Sequence, residues 1–218
     1  MSLTERLASN IGTKSRGILN VDEDKEKIIV YGAFNLLQVV WSIVWTSIIG
    51  LLFGVFYESI FFLFIISALR KYSGGVHATA PNRCIIIGTT AAVGFGILID
   101  KVLIRTSFYT MAVIGITSIL IALIIVVKKA PVDSPKKPIS NPVIKQRFKL
   151  SSIILICFYL LCMVVLLELY MVYESQMYIK AFQCIALGAL WQAITLTKSG
   201  ARVLNKLDAG FKYILGGN

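Results

Sequence analysis

The chain has 218 residues, is 57% hydrophobic and only 15% charged, and carries a formal charge of +11. A soluble domain is usually about 45–50% apolar and about 25% charged, so this composition excludes an ordinary water-soluble fold. Four cysteines without a CxxC pair and one histidine cannot supply the tetrahedral ligands of a zinc site; neither a metal nor a cofactor is expected.

Residues 1–27 are polar and mixed in charge. They lack the apolar core and small-residue cleavage site of a signal peptide, and none is expected. Leu3, Leu7 and Ile11 recur at helical spacing, which predicts an N-terminal amphipathic helix lying on the membrane surface. Residues 22–27, DEDKEK, read as a charged stop before the lipid.

Residues 28–57 form a run of thirty without a charge, and 106–127 a run of twenty-two. A run above about 18 residues reads as a membrane span. The stretch 28–69 is broken only by Glu58 and is too long for one crossing, so it divides into a helix over 30–54, a turn near 54–59 and a return over 59–70. Further helices are expected over 84–99, 107–127, 150–172 and 178–197, with Asp100, Lys101 and Arg105 in a short loop. The fold class is an all-α integral membrane protein. It has six transmembrane helices, two of them short, plus the interfacial N-terminal helix. The segments are 1–27, a membrane domain over 28–197, and a basic tail over 198–218.

Six crossings place both termini on one side. Lys and Arg number five in 1–27, three in 70–83, seven in 128–149 and four in 198–218, against only Lys101, Arg105 and Lys180 in the opposite segments. Positive charge collects on the cytoplasmic side, so both termini and the segment 70–84 are expected there. The same bias accounts for the net charge without nucleic acid. The lipid bilayer is the partner that the composition demands.

The segment 70–84, RKYSGGVHATAPNRC, interrupts the apolar runs with the one histidine, His77, and with Cys84. Gly74 and Gly75 permit a sharp turn and close approach. Pro81 suits the first position of a helix, which places Thr79 or Ala80 at the N-cap and Cys84 in the first turn or just past it. A thiol there feels the positive end of the helix dipole, and Arg83 adds a cation. An ordinary thiol is only a few per cent ionised at neutral pH, and burial in lipid disfavours its charge. A Cys–His pair resolves the conflict by sharing one proton as thiolate and imidazolium. Against this stands the plainer reading of a His that only anchors the interface. Cys157, Cys162 and Cys184 read as small apolar residues of helices. Glu58 and Glu168 read as interfacial, and Asn35, Gln38, Gln183 and Gln192 as interhelical hydrogen-bonding residues.

Residues 70–84 resemble the signature of the AgrB family of bacterial membrane peptidases: a basic pair, a small-Gly-Gly turn, a His, and a Cys seven residues on. Arg70, Gly75, His77 and Cys84 match in kind and spacing. The loop APVDSPKKPI over 130–139, the length and the six-span layout are also similar to the family's. The resemblance implies a cysteine endopeptidase acting on a small quorum-sensing propeptide of AgrD type. Cys84 would cleave off the C-terminal tail through an acyl-enzyme thioester, with His77 as base and then acid. A thiolactone or lactone ring closure would follow. It also implies a homodimer, and carries over Arg70 and Gly75 as substrate-binding residues, Gly75 shaping the turn and Arg70 holding substrate or capping the pocket. The basic loop 128–149, with Lys128, Lys129, Lys136 and Lys137, would bind an acidic propeptide segment by electrostatic attraction; ordinary topology and anionic lipid also explain it. The competing class is a small peptide transporter or exporter, which also uses interrupted helices.

Overall fold

The structure is a computed structural model, described here for residues 3–19, 22–76, 78–133 and 141–214. Its elements are α1 (Leu3–Leu19), α2 (Glu23–Leu52), α3 (Phe56–Ser73), α4 (Pro81–Ile97), α5 (Phe108–Lys129), α6 (Pro142–Tyr173), α7 (Gln176–Thr195) and α8 (Lys198–Ile214). α4 continues as a π turn over Leu98–Val102 and a 3-10 turn over Leu103–Arg105. The described residues hold no strand. The chain is an all-α, multi-pass membrane protein. Five of its described helices are long and apolar enough to cross a bilayer: α2, α4 with its extension, α5, α6 and α7. α3, at 18 residues, is not among them.

The apolar runs became helices where expected, but their ends differ for identifiable reasons. α2 begins at Glu23, because the Asp22 side chain accepts the Lys25 N–H at 2.8 Å and caps it. DEDKEK is therefore not a separate stop. Its acidic residues occupy the first turn, where the helix dipole favours negative charge. α6 begins eight residues before the expected 150. The Asn141 side chain accepts the Val143 N–H at 2.9 Å, and Pro142 stands at the first helical position, a strong start signal. Lys145, Arg147 and Lys149 thus lie on a helix, not in a loop. Asp100, Lys101 and Arg105 are likewise helical, in the π and 3-10 turns. α4 with its extension spans 25 residues, longer than the 84–99 segment expected. The basic tail forms the amphipathic helix α8.

α7 is the central helix, packed against α3, α5 and α6. Its Phe182 is fully buried, and a Cβ at Gly115 of α5 would come within 2.1 Å of the Phe182 ring. Such small residues let membrane helices approach closely. Gln183 reaches across to α5 and donates to the Met111 carbonyl at 2.7 Å, while the Tyr159 hydroxyl of α6 donates to the Ile65 carbonyl of α3 at 3.0 Å. Asn35 instead bonds back to Tyr31 within α2. α2 contributes little to the core and exposes Leu36, Val39, Ile43 and Trp45, as a lipid-facing helix does.

Two polar assemblies mark opposite ends of this bundle. At the start of α3, Glu58 lies 3.2 Å from Lys180 of α7, which also pairs with Asp100. Glu58 is therefore not a bland interfacial residue but part of a partly buried ion network. The other end, where α3 stops and α4 starts, carries the 70–84 motif.

Candidate functional site

α3 ends at the glycine pair. Gly74 has φ 68° and Gly75 φ 125°, values that favour glycine. Space forbids a side chain as well: a Cβ at Gly74 would lie 2.1 Å from the Val132 carbonyl oxygen, and one at Gly75 would lie 2.9 Å from Thr195 Oγ1. The close approach exists because the turn pairs with the chain leaving α5. Val132 donates its N–H to Ser73 O at 2.9 Å, and Gly75 donates to Val132 O at 3.3 Å. From α7, Gln192 Nε2 donates to Ser73 Oγ at 3.1 Å and to Gly74 O at 2.8 Å. Three helix ends thereby hold one turn.

α4 starts as its sequence suggested, with Ala80 as N-cap and Pro81 at the first position. Cys84 donates its N–H to Ala80 O at 3.1 Å, so it closes the first turn. Its thiol is free and partly exposed. Arg70, one turn before the end of α3, is drawn inward. Its Nη2 donates to the Val76 carbonyl, and its Nε is buried with no partner among the described residues.

Arg83 does not serve as the free cation expected beside the thiol. Its Nε donates to Asp208 Oδ1 of α8 at 2.7 Å. Asp208 Oδ2 also accepts the Thr79 N–H at 3.1 Å and the Thr79 hydroxyl at 2.7 Å. Burial pushes the Asp208 carboxyl up, but the hydrogen bonds from Thr79 and Arg83 and the Arg83 charge outweigh it and hold the group below the usual carboxylate range.

The structure thus gathers Arg70, Gly75 and Cys84 at one end of the bundle. His77 lies outside the described residues, as do Lys136 and Lys137. Lys128 and Lys129 are exposed on the last turn of α5, three and four residues before the Val132 that pairs with the turn. Asp208 and Ser73 were not found by sequence reasoning, and Gln192 was seen only as a general hydrogen-bonding residue. A signal for Asp208 existed: it is the one acidic residue in the basic segment 198–218. Among the described residues, no three His, Cys, Asp or Glu side chains come together to hold a metal ion.

These features define an all-helical membrane protein with a partly exposed thiol at a helix start that follows a fixed glycine turn. The chain belongs to the AgrB family: the model for accessory gene regulator B matches residues 3–196. It is 35% identical over 208 residues to an AgrB-like protein of Clostridium perfringens strain SM101, covering 95% of this chain and 97% of that one. It is 34% identical over 208 residues to a second AgrB-like protein, from strain 13 of the same species, with the same coverage. No solved structure matches the chain.

Proposed function

We propose that the protein is a membrane cysteine endopeptidase that processes an AgrD-like quorum-sensing propeptide. One observation carries this reading: Cys84, a free and partly exposed thiol, closes the first turn of α4 just past the glycine turn, in a chain that matches AgrB over 3–196. The Cys84 thiolate attacks the peptide carbonyl at the end of the signal region. The C–N bond breaks, the amine takes a proton from His77, and the signal remains as a thioester on Cys84. A thiol or hydroxyl within the peptide then attacks the thioester carbonyl. This closes a thiolactone or lactone, passes the nucleophile's proton to His77 and returns the Cys84 thiolate. Exclusion of water favours this internal nucleophile over hydrolysis.

The remaining site residues take their roles from position. Arg70 is held at the motif, its Nη2 donating to the Val76 carbonyl, and there it holds substrate or caps the pocket. Gly75 shapes the turn. Lys128, Lys129, Lys136 and Lys137 attract the acidic part of the propeptide, with Lys145, Arg147 and Lys149 extending the basic surface along α6. α3 makes a sixth crossing, which sets the motif, 1–27 and 198–218 on the cytoplasmic face. The membrane domain is 28–197, and the protein works as a homodimer.

The test is co-expression with a short, acidic-ended propeptide bearing an internal Cys or Ser. The wild type is expected to yield a shortened, cyclised product, and Cys84→Ser and His77→Ala none. Unchanged processing by Cys84→Ser would exclude the mechanism.

A further inference from the structure

α4 begins without a cap of its own: Ala80 occupies the N-cap position and makes no side-chain hydrogen bond. An Ala there forgoes the stabilisation that Ser, Thr, Asp or Asn gives. A carboxylate from another helix stands beside this start, bonded to Thr79, one residue before the cap. Asp208 is buried, only 6% exposed, on a helix whose other charges, Lys198, Arg202, Lys206 and Lys212, are all basic. Its two oxygens take the Thr79 N–H, the Thr79 hydroxyl and Arg83 Nε, and Arg83 also donates to the Thr79 hydroxyl. The gripped residues, 79 and 83, bracket Pro81 and adjoin Cys84. A negative group at a helix start is also favoured by the dipole.

We propose that Asp208 is a positioning residue for Cys84: from α8 it clamps the first turn of α4 and so fixes where the thiol stands at the helix start. The inference rests on the reading of Cys84 as the nucleophile. It assigns α8 a part in the chemistry although no α8 side chain needs to touch substrate. It also gives Arg83 its task, which is to be held by Asp208.

The test uses the full chain in detergent, with Cys157, Cys162 and Cys184 replaced by Ala, and follows iodoacetamide alkylation of Cys84 against pH. Accessibility changes the plateau rate, whereas the midpoint reports the charges around the sulfur. If Asp208 and Arg83 acted only as charges, Asp208→Asn would lower the midpoint and Arg83→Gln would raise it. The clamp makes both raise it, by about one pH unit, because either loss loosens the helix start whose dipole favours the thiolate. The double variant is expected to move it no further, and Asp208→Glu to recover most of the wild-type profile. A lowered or unchanged midpoint in Asp208→Asn overturns the proposal. Should Asp208→Asn fail to fold, Arg83→Gln and Asp208→Glu carry the comparison. Amide hydrogen exchange over 78–86 is expected to quicken in Arg83→Gln and Asp208→Asn, while the rest of α4 stays protected. Unchanged exchange there also overturns the clamp. If the co-expression test removes Cys84 as nucleophile, midpoint and exchange still decide whether Asp208 holds the turn.

Discussion

Gln192 on α7 donates its side-chain amide to the Gly74 carbonyl at 2.8 Å, tying the central helix of the bundle to the turn that precedes the reactive segment. The same nitrogen bonds Ser73 Oγ at 3.1 Å, while Gln192 Oε1 is buried with no partner among the described residues. Replacing Gln192 by Leu removes both bonds and leaves the Gly74 carbonyl without this donor, at about 1–3 kcal/mol. Replacing it by Glu sets a second acceptor against that carbonyl. Thermal unfolding in detergent is expected to fall for Gln192→Leu and further for Gln192→Glu, with processing reduced in the same order.

The two glycines are expected to differ in severity. Gly74→Ala drives a methyl group to 2.1 Å from the backbone oxygen of Val132, which cannot swing aside, whereas Gly75→Ala meets the Thr195 hydroxyl at 2.9 Å. Gly74→Ala should therefore abolish folded protein or activity. Gly75→Ala should lose less, and Gly75→Ala with Thr195→Ala should regain part of the loss. Yield of monodisperse protein and propeptide turnover read both effects.

The ion network at the other end gives an independent prediction. Lys180 joins Glu58 and Asp100, and these side chains are 22%, 11% and 13% exposed. Lys180→Met leaves two largely shielded carboxylates without their shared cation. Removing one partner of a buried pair costs about 3–5 kcal/mol, and the partial exposure here places the loss at the lower end. The variant Lys180→Met with Glu58→Gln and Asp100→Asn should recover most of the lost unfolding temperature. Failure of the neutral triple variant to outdo Lys180→Met would show that these charges are not coupled.

Asp208 sets a pH dependence with a definite sign. Its carboxyl is held below the usual range in the folded protein, against about 3.9 for a free aspartate. Stability from the clamp is therefore fully present above the unfolded value and is lost as pH falls through the lower, folded one. Exchange protection over 78–86 should be flat from neutral pH down to about 5 and decline in more acid solution. Asp208→Asn should show no such decline.

Much of this architecture is written locally. The helix start at Pro81, the glycine turn and the apolar spans each follow from residues adjacent in sequence, and they appear where local rules put them. The start of α6 was also local, in Asn141 and Pro142, but the polar run KQRFK after it (145–149) reads as solvated loop until the cap is noticed. The π and 3-10 turns around Asp100 were hidden because Asp100 pairs with Lys180, 80 positions away. Asp208 meets Arg83 across 125 positions, and no periodicity within α8 announces that its one carboxylate turns inward. Arg83 was accordingly read as a free cation, when its charge is already taken.

The central claim, that Cys84 forms a thioester with the propeptide, is tested most directly by intact mass of the purified protein after exposure to propeptide. A hydroxylamine-labile adduct with the mass of the signal region is expected on Cys84 and absent from Cys84→Ala. Tail cleavage by Cys84→Ala, or turnover by the wild type with no such adduct under rapid acid quench, would contradict it.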